Sequence, residues 1–199
     1  YFSEDDMCGI FGVSGSTPAV PLIAAGLKKL EYRGYDSSGI AVNGEKGIWL
    51  CKSAGSLSRL EKKLNQSAPP LSSVGIGHTR WATHGKATDL NAHPFLSADG
   101  MFAVAHNGII ENYTGLKAFL SEKGFSLVSD TDSEVVPMLL EYFYDGDVLK
   151  AIRRAVSELE GAFSLAIITS RAPDCVFAAR KDSSLAIGCG KNLIFPRVL

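Results

Sequence analysis

Met101-Phe102-Ala103-Val104-Ala105-His106-Asn107-Gly108 is an apolar run that ends in a polar cluster, and Val74-Gly75-Ile76-Gly77-His78-Thr79-Arg80-Trp81 has the same design upstream. Both read as strands that deliver polar side chains at their C-terminal ends, where such groups commonly line sites. Working outward, residues 10–14, 39–43 and 48–52 read as short strands. Gly44 and Gly47 turn the last two into a hairpin. Thr17 as N-cap and Pro18 at the first helical position predict a helix with Val20, Ile23, Ala24, Leu27 and Leu30 on one face, ending near Gly34. Leu57, Leu60 and Leu64 mark a second helix, followed by a loop around Pro69-Pro70. Helices are predicted over 116–123, 133–143 and 148–160, the middle one bent at Pro137, which removes a backbone donor. Strands follow over 163–169, 175–180 and 185–189. Without strict βαβ alternation, this order predicts an α+β fold of antiparallel sheets with segregated helices.

At 199 residues and 46% hydrophobic content the chain suits one well-buried core. Residues 1–7 read as a leader and 8–199 as a single domain. Twenty Lys and Arg against twenty-one Asp and Glu give a net charge of −1, so no strong field favours nucleic acid or a membrane surface. Small polar molecules or other proteins are the expected partners. Cys8, Cys51, Cys175 and Cys189 have no paired short spacing, which argues against a zinc ribbon, a CxxC redox site or a disulfide framework and fits a reducing cytosol. No apolar run approaches the roughly 20 residues that span a bilayer, and the acidic residues 1–7 do not read as a secretory signal. His78, His84, His93 and His106 show neither HExxH nor Cys/His cluster spacing, so no metal is assigned. The fragment Gly188-Cys189-Gly190-Lys191 lacks the full phosphate-loop pattern, and no nucleotide or other cofactor is assigned. The serines lack a GxSxG context, which disfavours a serine hydrolase.

Cys8 follows Met7, and cleavage between them would leave an N-terminal cysteine. Such a residue carries nucleophile and general base together, because a free α-amine with a reference pKa of about 7.7 to 8.0 can accept the thiol proton near neutral pH. The other three cysteines fall in apolar stretches and read as small hydrophobes.

Six segments carry a family resemblance: CGIFG at Cys8, LEYRGYDSSGIAV at Leu30, HTRWATHG at His78, NAHP at Asn91, HNGIIEN at His106 and SDTDSEV at Ser129. In this order they resemble the glutaminase domain of the glutamine:fructose-6-phosphate aminotransferases, a branch of the N-terminal-nucleophile, or class II, glutamine amidotransferases. Six ordered motifs are specific where any one would be weak. The resemblance covers 7 to about 192. The tail 193–199 departs from the family's continuation, so the domain reads as incomplete at its C-terminal end.

The resemblance implies a four-layer αββα sandwich of the N-terminal-nucleophile hydrolase type, acting in the cytoplasm on L-glutamine. Cys8 would attack the side-chain amide and form a γ-glutamyl thioester, releasing ammonia. Asn107 and Gly108 would form the oxyanion hole. On the dipeptide alone a tight hairpin turn is the better reading. Arg80 would bind the substrate α-carboxylate and Asp132 its α-ammonium, with Thr83 and His84 helping to hold them. For Asp132 a helix-start carboxylate beside a capping box from Thr131 to Glu134 is an equally compatible reading. Arg33 would help position the nucleophile region, or act as an ordinary cation after a helix, and Trp81 would shield the thioester, or simply pack.

The resemblance also implies partners: the sugar-isomerase domains of a longer enzyme, which accept the ammonia to make glucosamine 6-phosphate from fructose 6-phosphate. Missing sheet elements would expose an edge strand and favour a homodimer. A different class of function stays open, a catalytically silent module that binds glutamine or a partner because the Cys8 amine is blocked. A third reading keeps the fold and changes the amide substrate.

Overall fold

The computed structural model describes residues 8–81, 85–190, 193–194 and 197–198, with backbone alone for Arg33, 193–194 and 197–198. β1 (Gly9–Gly15), β2 (Ser37–Gly44), β3 (Gly47–Ala54) and β4 (Val74–Arg80) form an antiparallel sheet in the order β3-β2-β4-β1, with β9 (Leu193–Ile194) beyond β1. A second sheet runs β10-β8-β7-β6-β5, from β5 (Phe95–Leu96), β6 (Phe102–Gly108), β7 (Phe163–Thr169), β8 (Val176–Lys181) and β10 (Arg197–Val198). Among the described residues only β10 and β8 pair in parallel in it.

Period-two alternation sorts the side chains into three cores. Between the sheets lie Ala41, Val74, Ile76, Ala103, Ala105, Ala166, Ile168 and Val176. Half of these are alanines, whose short side chains let the sheets approach closely. The opposite face of the first sheet, with Val13, Ile40 and Val42, packs on Ile23 and Leu27 of α1 (Ala19–Leu30) and on Leu57, Leu60 and Leu64 of α2 (Leu57–Ser67). The outer face of the second sheet, with Phe102, Val104, Phe163, Leu165 and Ile167, packs on α3 (Tyr113–Glu122), α4 (Val135–Phe143) and α5 (Val148–Ser157). Helices, sheet, sheet and helices make the four-layer αββα sandwich. Each fully buried leucine, isoleucine or phenylalanine stabilises this arrangement by about 1.5 to 3 kcal/mol.

Most predicted elements form, and the departures have local causes. The helix start slips by one residue: Pro18 is the N-cap of α1, in an extended conformation, and Thr17 lies outside. The chain leaves α1 through a 3-10 turn, Glu31–Arg33, and reverses at Gly34 with φ of 75°. Pro137 is the third residue of α4, where an amide has no intrahelical partner, so it need not bend the helix. The predicted capping box does not form. Glu134 is the N-cap, and its carboxylate instead accepts from the backbone N–H groups of Val128 and Ser129. The stretch 185–189 is not a strand and is largely exposed. Among the described residues no helix is long and apolar enough to cross a membrane.

Candidate active site

The space between the sheets is polar at one end because alternation brings four candidate residues into it. In β1, Ile10 faces the second sheet, so Cys8, two residues earlier, points the same way. In β4, Val74 and Ile76 set the inward phase that His78 and Arg80 continue. In β6, Ala103 and Ala105 do so for Asn107. Antiparallel register places Ile10 opposite His78 and Gly9 opposite Thr79.

The half-buried Cys8 thiol sits against the backbone of Trp81, whose N–H donates to Sγ at 3.1 Å. Burial pushes the Cys8 pKa up, opposed by the Trp81 N–H and by the charge of Arg80. A thiol raised in this way is a poor nucleophile without a base. Residues 1–7 lie outside the described residues.

Asn107 reaches across from the other sheet. Its Nδ2 donates to the Cys8 carbonyl oxygen at 3.0 Å, and its Oδ1 lies 2.8 Å from His78 Nε2. Gly108 ends β6 with φ of 116°, and a Cβ there would run into the Ala162 carbonyl. Asn107-Gly108 therefore terminates a strand paired with β7 and is not a hairpin turn.

Arg80 is 3% exposed. Its guanidinium donates to the carbonyls of Gly85 at 3.1 Å and Lys86 at 3.3 Å and lies 3.8 Å from an Asp36 carboxylate oxygen. Asp132, 4% exposed, accepts from the Ile110 N–H at 2.8 Å and from the Ser133 hydroxyl at 3.1 Å. Its carboxylate thus holds the chain just after Gly108 instead of capping α4. Trp81 is 38% exposed, and its ring lies over Gly34, where a Cβ would come within 2.7 Å of Cζ3. Thr83, His84 and the Arg33 side chain lie outside the described residues.

Two residues without a predicted role join the site. His78 holds Asn107, and Asn91 bridges the Arg80 loop to the Asp132 segment: its Nδ2 donates to Lys86 O and Asp130 Oδ2, and its Oδ1 accepts from Asp130 N. The in-phase spacing of His78 and Arg80 on one strand was the available signal for the first. Asn91 had only its place in NAHP.

An αββα sandwich of two largely antiparallel sheets, with a cysteine just before the first strand, an asparagine amide on its carbonyl and a buried arginine whose charge reaches its thiol, is the architecture of an amidotransferase of the N-terminal-nucleophile class. The profile of the glutamine amidotransferase domain matches residues 78–188, and the chain belongs to that family. It is 49% identical over 186 residues to the glutamine--fructose-6-phosphate aminotransferase [isomerizing] of Clostridium acetobutylicum, covering 94% of this chain and 30% of that protein. The same enzyme of Streptomyces coelicolor is 50% identical over 191 residues, covering 95% and 31%. Among solved structures, the glutamine phosphoribosylpyrophosphate amidotransferase of B. subtilis superposes with a TM-score of 0.71 at 26% identity, over 86% of this chain and 36% of that one. An allosteric regulatory enzyme of purine biosynthesis gives 0.74 at 27% identity, over 86% and 37%. The chain spans about 30% of the length of the curated relatives it matches.

Proposed function

We propose that this domain hydrolyses L-glutamine to glutamate and ammonia through a Cys8 thioester. With a free amino terminus, the Cys8 α-amine takes the Sγ proton and the thiolate attacks the amide carbon of the substrate. One Asn107 N–H is held on the Cys8 carbonyl, and the second, with the Gly108 N–H, meets the oxyanion that develops. The intermediate collapses as the α-ammonium gives its proton to the amide nitrogen, which leaves as ammonia, and water then cleaves the thioester to glutamate and the free thiol. Arg80 and Asp132 bind the two charged ends of the free amino acid, with Thr83 and His84 beside them. Arg33 positions the turn behind the nucleophile and Trp81 covers it. In the longer protein, sugar-isomerase domains would use the ammonia to convert fructose 6-phosphate to glucosamine 6-phosphate.

The observation that carries this reading is the hydrogen bond from Asn107 Nδ2 to Cys8 O at 3.0 Å, which ties the end of a strand in one sheet to the nucleophile of the other. Glutamate release is measured before and after verified removal of residues 1–7. The trimmed protein should turn over, and the untrimmed one should be slower by about 10²- to 10⁴-fold, the usual worth of a general base. Equal rates refute the α-amine as base. Glutamine binding by trimmed protein without release points to the silent binding module instead.

A further inference from the structure

His78 is fully buried on the inward face of β4, with Nε2 2.8 Å from Asn107 Oδ1 and Nδ1 without a hydrogen-bond partner. A neutral imidazole has one N–H and one lone-pair nitrogen. With the hydrogen on Nδ1, a donor would be buried unpaired and the Nε2 lone pair would face the Asn107 oxygen. With it on Nε2, the donor is satisfied and only a weaker demand, an unpaired acceptor, remains. The Asn107 amide must then turn its oxygen to His78 and its NH₂ to Cys8. The reversed amide would set Oδ1 against the Cys8 carbonyl oxygen and present an acceptor to any oxyanion. The ring plane is fixed as well, because His93 stacks on it with centroids 4.3 Å apart and 17° between planes. His93 is itself held by the backbone N–H of His106, which donates to its Nδ1 at 3.2 Å.

We propose that His78 is a positioning residue for the hydrolytic reaction: as its neutral Nε2–H tautomer it locks the Asn107 amide with the NH₂ facing the Cys8 thioester site. The inference rests on the reading of Asn107 as an oxyanion donor. Burial pushes the His78 pKa down to about 3, against the opposing effect of the Asn107 side chain and the His106 backbone, so the ring is neutral throughout the neutral range.

A double-mutant cycle on protein with a verified Cys8 amino terminus tests it. His78→Phe keeps a ring to stack on His93 and removes the donor. It should lower kcat for glutamine hydrolysis by about 10- to 100-fold, less than or equal to the loss of an oxyanion donor, with KM within about twofold of the parent. His78→Gln, whose amide N–H can replace Nε2–H, should recover most of that loss. In an Asn107→Ala background, His78→Phe should cost nothing further. A His78→Phe protein with parental kcat, beside an Asn107→Ala protein that is impaired, overturns the inference and leaves the oxyanion reading standing. Additive losses also overturn it, while parental kcat in Asn107→Ala refutes the oxyanion reading itself. If His78→Phe does not fold, ¹⁵N NMR of the unaltered protein decides. His78 should show a protonated Nε2 and a pyridine-type Nδ1 at pH 7, and the opposite tautomer or an imidazolium overturns the proposal.

Discussion

On the proposed reading Asp132 would couple two tasks that a single substitution can separate. Its Oδ2 holds the Ile110 N–H and so shapes the chain after Gly108, whereas its charge is what an α-ammonium would feel. Asp132→Asn keeps an oxygen acceptor for Ile110 and removes the charge. We expect KM for glutamine to rise about 10-fold or more, with stability changed by less than about 1 kcal/mol. An unchanged KM, measured by glutamate release, would remove Asp132 from the ammonium site. Arg80 makes the complementary case. Lysine cannot reproduce the planar fork that reaches two loop carbonyls together, so Arg80→Lys should raise KM and also cost about 1 to 3 kcal/mol of stability, read as a lower urea midpoint. A variant as stable as the parent would mean the fork does not anchor the loop. At this scale Cys8, Arg80, Asn107 and Asp132 could be proposed from the sequence because each belongs to a motif and carries its chemistry in its own side chain, and Gly108 because its assigned role needs only a backbone N–H. His78 was not, since its proposed role exists only through the side chain of a residue 29 positions away.

Strands were the most legible elements, because alternation against two different layers leaves a strong imprint, as in Ile40 and Val42 facing helices while Ala41 faces the other sheet. Residues 185–189 have comparable apolar content but no ladder partner, and strand propensity without a neighbour does not make a strand. The box from Thr131 to Glu134 failed for a related reason. Two backbone donors at Val128 and Ser129 compete for Glu134 and win it. Loops are the least legible, and the stretch from Gly85 to Asn91 is the clearest case. Asn91, 1% exposed, ties it to Asp130 with both ends of its amide. Asn91→Ala would remove the acceptor of the Asp130 N–H, at a cost of about 0.5 to 1.5 kcal/mol, and loosen the Lys86 carbonyl that also receives Arg80. The expected result is a lower urea midpoint together with a KM for glutamine raised about 10-fold, since a loop misplaced by even about 1 Å can cost more than that. Asn91→Asp should be no better, because a carboxylate cannot donate to Lys86 and adds a like charge beside Asp130. If both variants keep the parental KM, the bridge is structural only.

Across the whole molecule, three histidines from separate segments meet where the two sheets come together. His78 belongs to β4 of the first sheet, His106 to β6 of the second, and His93 stacks between them at 4.3 and 6.2 Å. All three are buried, and His106 Nδ1 lies 2.7 Å from the Ser133 hydroxyl, which leads on to Asp132. Burial holds each pKa below its ordinary value of about 6.5: His78 to about 3, His106 to about 4, and His93 well below the usual range. Above about pH 6.5 neither the folded nor the unfolded chain binds these protons, and they add no pH dependence. Below it the unfolded chain takes up protons that the folded one refuses. Stability is therefore lost as pH falls from about 6.5 toward these folded values, at up to about 1.4 kcal/mol per pH unit for each imidazole. Urea unfolding at pH 7.5, 6.0 and 5.0 keeps most carboxylates ionised, and Glu141, whose pKa burial raises, works in the opposite direction to the imidazoles. The midpoint should fall across the series, and His78→Phe should show a shallower fall because one refused proton is gone. A midpoint that is level or rises toward pH 5 would mean that the imidazoles accept protons in the folded state, and the neutral stack joining the sheets would have to be abandoned.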